Sequence, residues 1–212
     1  MGDRRLVYVM DPMCSWCWGF APVAKALIAQ AAQAGVATHL VLGGLRTGAG
    51  AALDETKRAY ILKHWQSVAE TTGQAFRFDA ALPEGFVYDT EPACRAVVAA
   101  RLLDPGCAMV LSELIQRAFY VEGQDVTRTP LLVELAEAAG VPRIEFAEAF
   151  DSVQALDATR RDFAWVEDLG IAGFPTLLAE RDGQLALLTN GYLPLEQIAP
   201  LLARWLERAA QG

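Results

Sequence analysis

The sequence predicts an α/β protein in which a β-α-β unit at the start of the chain and an α-β-β-α unit at its end share one sheet, with an all-helical block inserted between them. Three observations lead there. Short apolar runs at 5–10 and 37–42 bracket a helical repeat. Residues 46–150 carry few strand signals and many helical ones. Two strand-like runs near the C-terminus are joined through Asp182-Gly183, a strong hairpin signal. Two strands alone are not a stable sheet, so the outer pieces must meet.

The segment RLVYVM, residues 5–10, reads as a short buried strand. Phe20, Ala24, Leu27, Ile28 and Ala31 then recur at helical spacing until Gly35 ends the helix. Pro22 is expected to kink it, since proline lacks the amide donor and crowds the preceding turn. ATHLVL, 37–42, is the second buried strand, and a parallel crossover of this kind is right-handed. In the middle block, helices are expected near 54–72, 91–103, 106–119, 130–139 and 143–150. Thr90 and Thr129 read as N-caps, Pro92 and Pro130 suit a first turn, and Gly140 is a stop. Beyond it, Val153, Leu156, Phe163, Val166 and Leu169 line one face of a helix closed by Gly170. Strands follow at 176–179 and 185–189, and Pro194 opens a last helix with Leu195, Ile198, Leu202, Trp205 and Leu206 inward. The expected division is 1–45 with 151–212 as one unit and 46–150 as the helical insertion.

A chain of 212 residues that is 53% hydrophobic can bury a core of its own, which argues against disorder. Its net charge of −8 disfavours nucleic acid, whose phosphates need a basic surface. No run approaches the roughly 20 apolar residues of a membrane span. The run from Leu6 to Met10 is too short for a signal peptide and leads straight into Asp11-Pro12, so a cytoplasmic location without a leader is expected. Oligomeric state is left open.

In a reducing compartment, close-spaced cysteines point to redox catalysis or metal rather than to a structural disulfide. Cys14-Ser15-Trp16-Cys17 follows a strand and opens a helix. A thiol there faces unpaired backbone N–H groups and the positive end of the helix dipole, which favour thiolate, and such thiols ionise at roughly pH 3.5–7.5 rather than about 8.5. Two intervening residues let the second sulfur resolve a mixed disulfide on the first. Cys14 is therefore read as nucleophile and Cys17 as resolving thiol. The alternative is an inert pair or half of a zinc site, but zinc needs about four ligands, and Cys94, Cys107, His39 and His64 form no short-spaced set. No bound metal or cofactor is expected. Trp16 and Trp18 are candidates for an apolar substrate platform, Trp16 more exposed, with Phe20 in the core. Asp11 is a turn residue whose charge, if close, would oppose thiolate formation.

Gly173-Phe174-Pro175-Thr176 stands between the last long helix and a strand, where proline marks the strand's first residue. On residue types alone it is an ordinary turn. The order of elements, the CxxC at the first helix and this GFPT together resemble the DsbA family of thioredoxin-fold proteins. DPMCSWCWGF is similar above all to the leaderless FrnE-like branch. The resemblance spans the whole chain. It implies a thioredoxin fold (βαβ … αββα) with an inserted helical domain, and a cis Phe174-Pro175 bond beside the cysteines. It also implies substrate pairing at the Phe174 backbone, with Gly191 letting the end of the last strand approach the same groove. The Ser-Trp between the cysteines departs from the Pro-His of periplasmic relatives, so a less oxidising poise is expected.

Two enzyme readings follow. The first is a thiol–disulfide oxidoreductase or isomerase acting on protein or low-molecular-weight thiols, with glutathione a candidate co-substrate. The alternative is a glutathione-dependent transferase or isomerase of the kappa or 2-hydroxychromene-2-carboxylate isomerase type acting on a small aromatic substrate. Those proteins resemble this chain in fold but carry serine where Cys14 stands. A third, non-catalytic reading is a binding module that uses the aromatic groove. Cys94 and Cys107 read as small core residues, or more sharply as a second redox pair across adjacent helices. His39 reads as structural and His64 as a surface or packing residue.

Overall fold

The computed structural model describes residues 4–48 and 50–210. Residues 1–3 and 211–212, the outer ends of the expected division, lie outside the described residues. Among the described residues, β1 (Arg4–Met10), α1 (Ser15–Gln33) and β2 (Ala37–Leu42) come first. Five helices follow: α2 (Glu55–Thr72), α3 (Glu91–Leu103), α4 (Pro105–Tyr120), α5 (Thr129–Ala138) and α6 (Arg143–Phe150). The chain closes with α7 (Val153–Asp168), β3 (Thr176–Arg181), β4 (Gln184–Asn190) and α8 (Leu195–Ala210).

The strands form one mixed sheet in the order β2-β1-β3-β4. β1 runs parallel to β2 and antiparallel to β3, so the two ends of the chain meet on either side of it. Covered on both faces, β1 reads as an unbroken apolar run rather than an alternating one. Leu6, Tyr8 and Met10 enter the main core with α1 and α3–α6. Val7 and Val9 join Val41, Leu178 and Val166 in a second cluster beneath α7. Asp182 and Gly183 both have positive φ, 51° and 77°, the mark of a type I′ hairpin turn.

α1 continues through Pro22 without interruption. The lost donor leaves the Trp18 carbonyl without its helical partner, and Gln74 Nε2 supplies one at 2.9 Å. The Trp18 indole returns the contact, donating to Ala75 O at 3.0 Å. At Gly19 the backbone of α1 lies so close to α2 that a Cβ would meet Val68 Cγ1 at 2.7 Å and Thr72 Cγ2 at 2.9 Å.

Several expectations need correction. Thr90 precedes α3 but its side chain does not cap it; its hydroxyl accepts from Arg46 N at 3.2 Å instead. Thr129 is the first residue of α5, with Arg128 at the cap. The buried face of α7 is Ala155, Ala158, Thr159, Asp162 and Val166, while Val153 and Leu169 are exposed. Small residues on that face let the helix approach, and Asp162 is buried because its charge is matched. Its two oxygens accept from Arg101 Nη1 and Nη2 of α3 at 2.9 Å each, and Oδ2 also accepts from Leu42 N. In α8, Ile198 and Leu202 are fully buried, whereas Leu195 is exposed.

Candidate active site

β1 ends in the core at Met10, and the chain turns at once into α1. Asp11 makes the turn: its carbonyl accepts from Cys14 N at 3.0 Å and its Oδ1 from Met13 N at 2.8 Å. Cys14 is thereby placed at the N-cap of α1, in extended backbone conformation, with its carbonyl accepting from Cys17 N and Trp18 N. Its side chain caps nothing, and the first turn carries no acidic residue. The positive end of the helix dipole lies beneath the Cys14 sulfur.

Across from it stands the loop before β3. The Phe174–Pro175 bond is cis. Cys14 Sγ donates to Phe174 O at 3.6 Å, so the sulfur at the helix tip and the backbone before Pro175 face each other. Pro175 O in turn accepts from Gly191 N at 2.7 Å, which draws the turn after β4 into the same site. Gly191 has φ of 97°, a conformation that explains the glycine. Thr176 Oγ1 braces the loop by donating to Gly173 O at 2.9 Å.

The two thiols differ in environment. All four cysteines are free. Cys14 keeps 6% of its surface and Cys17 none. Burial pushes the Cys17 thiol up, and the adjoining Cys14 adds to this, so Cys17 waits as a protonated thiol behind the outer one.

The aromatic residues divide between wall and packing. Trp16 is half-buried rather than exposed, because its ring lies against Tyr192 at 5.9 Å between centroids. Phe20 is fully buried and meets Tyr192 edge-on and Tyr8 beyond it. Trp18 stacks on Tyr120 of α4 at 11° and borders a neighbouring groove of about 370 Å³ with Pro22, Lys25 and Leu114.

Two contributions had weak sequence signals. Asp11 is completely buried, and its Oδ2 accepts from Leu45 N at 2.7 Å and from the Cys94 thiol at 3.4 Å. Burial raises its carboxyl pKa against the hydrogen bonds that lower it. The helical block also reaches the site: Tyr88 Oη donates to Met13 O, directly before Cys14. The place of Asp11 three residues before Cys14 marks it as a turn residue with a bearing on the thiol, but does not reveal its hydrogen bonds to Leu45 and Cys94; the role of Tyr88 is a product of tertiary packing. Cys94 is a core residue as expected. Cys107 is half-buried, with Asp104 Oδ2 as acceptor at 3.5 Å, so the two thiols serve different partners. His64 is exposed, its Nδ1 2.9 Å from Tyr60 O, and His39 lies half-buried in β2 opposite Val7. Among the described residues, no group of three or more His, Cys, Asp or Glu is placed to hold a metal ion, and no helix is long and apolar enough to cross a membrane.

The structure of a proposed protein disulfide isomerase from Nitrosomonas europaea superposes with a TM-score of 0.90 at 43% identity, covering 97% of this chain and 98% of that one. The cytosolic disulfide reductase DsbM from Pseudomonas aeruginosa gives 0.77 at 31% identity, over 98% and 100%, and has also been solved with GSH. Among curated relatives, the ClpXP adapter protein SpxH of Halalkalibacterium halodurans is 25% identical over 190 residues, 87% of this chain. The chain spans only 62% of that relative's length. The DSBA-like thioredoxin domain matches residues 5–203, and the chain belongs to that family.

Proposed function

We propose that this protein is a thiol–disulfide oxidoreductase in which Cys14 exchanges with the substrate and Cys17 resolves the intermediate. The observation that carries the reading is the placement of Cys14: at the helix N-cap, barely exposed, its sulfur 3.6 Å from Phe174 O, with a fully buried thiol behind it. In the reducing direction, Cys14 thiolate attacks a substrate disulfide, forms a mixed disulfide and releases one substrate thiol. Cys17 then loses its proton and attacks the Cys14 sulfur. The second substrate thiol leaves; the substrate disulfide has gained two electrons and two protons, and the enzyme has lost them in forming the Cys14–Cys17 disulfide. Run backwards, the same steps oxidise a dithiol.

Phe174 and Pro175 form one wall of the substrate groove, their backbone alongside Cys14. Trp16 on Tyr192 forms the other, and Gly191 closes the end. Trp18 extends the surface toward the adjoining groove. The substrates are low-molecular-weight or protein disulfides, and glutathione serves as co-substrate. The reducing direction in the cytoplasm is favoured by the likeness to a cytosolic disulfide reductase that has been crystallised with GSH. The division into 1–45 with 151–212 and a helical insertion at 46–150 belongs to the same proposal.

Replacing Cys14 with Ser abolishes insulin-disulfide reduction on this account, and activity surviving the change overturns it. Glutathione-dependent turnover of a small aromatic substrate that persists without Cys17 favours the transferase or isomerase reading instead.

A further inference from the structure

We infer that Gly43, outside the CxxC and the Phe174–Pro175 loop, is a positioning residue that sets where the Phe174 carbonyl stands against Cys14. The inference rests on the dithiol reading of Cys14 and Cys17. Gly43 follows β2 directly, and its N–H donates to Met10 O at 2.8 Å, so its backbone is anchored to the end of β1. A Cβ built on Gly43 falls inside the Phe174 ring: Cε2 would be 2.7 Å away, with Cζ and Cε1 nearer still. Gly43 does not have the positive φ that marks its neighbour Gly44, φ 64°. Its backbone would accept alanine; the three atoms that a side chain would meet first all belong to the Phe174 ring.

The ring is half-buried and borders, with Gly43 and Gly44, a groove of about 330 Å³. Phe174 packs against both hydrophobic clusters, and the chain beyond it is pinned by the hydrogen bond between Pro175 O and Gly191 N. Displacement that the ring does not absorb by turning into the groove falls on residues 173–174, where the carbonyl accepts from Cys14 Sγ. Only the reduced form with Cys14 protonated makes that bond, because neither a thiolate nor a disulfide has an S–H. Loosening it therefore favours the disulfide. The exchange concerned is the dithiol plus oxidised glutathione giving the Cys14–Cys17 disulfide plus two reduced glutathiones. Loss of one neutral hydrogen bond of about 1 kcal/mol corresponds to a shift of about fivefold.

The test is the exchange constant with glutathione, measured for wild type, Gly43→Ala, Phe174→Ala and the double variant, each alongside its urea stability. The expected result, at a pH acid enough for Cys14 to carry its proton, is a shift of about fivefold toward the disulfide from Gly43→Ala when Phe174 is present, and none in the Phe174→Ala background. An equal shift in both backgrounds, or none in either, overturns the inference and leaves the dithiol reading intact. Wild type that does not exchange with glutathione at all overturns both. If Gly43→Ala alone does not fold, the double variant decides. Recovery of folding with the constant of Phe174→Ala supports the inference, and failure to fold overturns it.

Discussion

Arg101 ties the helical block to the sheet, and its removal has a calculable cost. Its guanidinium makes two charge-assisted bonds of 2.9 Å to the carboxylate of Asp162 on α7, and Nη1 also donates to Leu40 O of β2. The two side chains keep only 13% and 11% of their surface. Arg101→Met preserves most of the aliphatic stem and leaves Asp162 with Leu42 N as its remaining donor. Breaking a buried pair by removing one partner costs about 3–5 kcal/mol; the residual solvent access here places the loss near the lower figure, at about 3 kcal/mol. In a domain of this size that corresponds to a fall in Tm of about 6–12 °C. Urea unfolding is the assay, with the m-value unchanged if the native fold is retained. Adding Asp162→Asn removes the stranded charge and should return part of the loss. A cost below about 1 kcal/mol for Arg101→Met, or no coupling to Asp162, refutes the reasoning.

Gln74 should matter only because Pro22 is present. Gln74→Ala is expected to cost about 1 kcal/mol in urea unfolding by leaving Trp18 O without a donor, and to cost much less once Pro22→Ala restores the helical N–H; equal costs in both backgrounds contradict this. His39 gives a pH dependence of known sign. Burial, reinforced by Arg101 and Arg5, lowers its pKa, so the folded state resists a proton that the unfolded chain accepts below about pH 6.5. Its contribution to stability is complete above that value and is lost as the pH falls through the lower folded value. His39→Gln should therefore flatten the loss of urea stability on acidification; parallel curves for the two proteins exclude the effect.

Local sequence carried much of this fold. Helix and strand limits agree with the apolar periodicity to within a residue or two, because each element has a clear stop, such as Gly35 after α1 or Asp182-Gly183 between β3 and β4. The divergences arise where tertiary partners overrode local preference. Asp162 enters the core in place of the larger Val153 because Arg101, 61 residues away, neutralises it. Thr90 gives up its cap to bind Arg46. The CxxC and GFPT segments were legible as motifs, and the sheet order explains their meeting, since β1 and β3 are neighbours. Asp11 was legible only as a turn residue near Cys14, and Gly43 was not legible as part of the site. Their importance lies in what packs on them, Leu45 and Cys94 on one and the Phe174 ring on the other.

The most direct measurement is where glutathione becomes attached in a Cys17→Ser variant incubated with oxidised glutathione, read by peptide mass mapping. Cys14 is buried whereas Cys107 is half-exposed, so accessibility alone would direct the label to Cys107. A stable mixed disulfide on Cys14 is the expected result. Glutathione on Cys107 alone, with Cys14 unmodified, contradicts the assignment of the working sulfur.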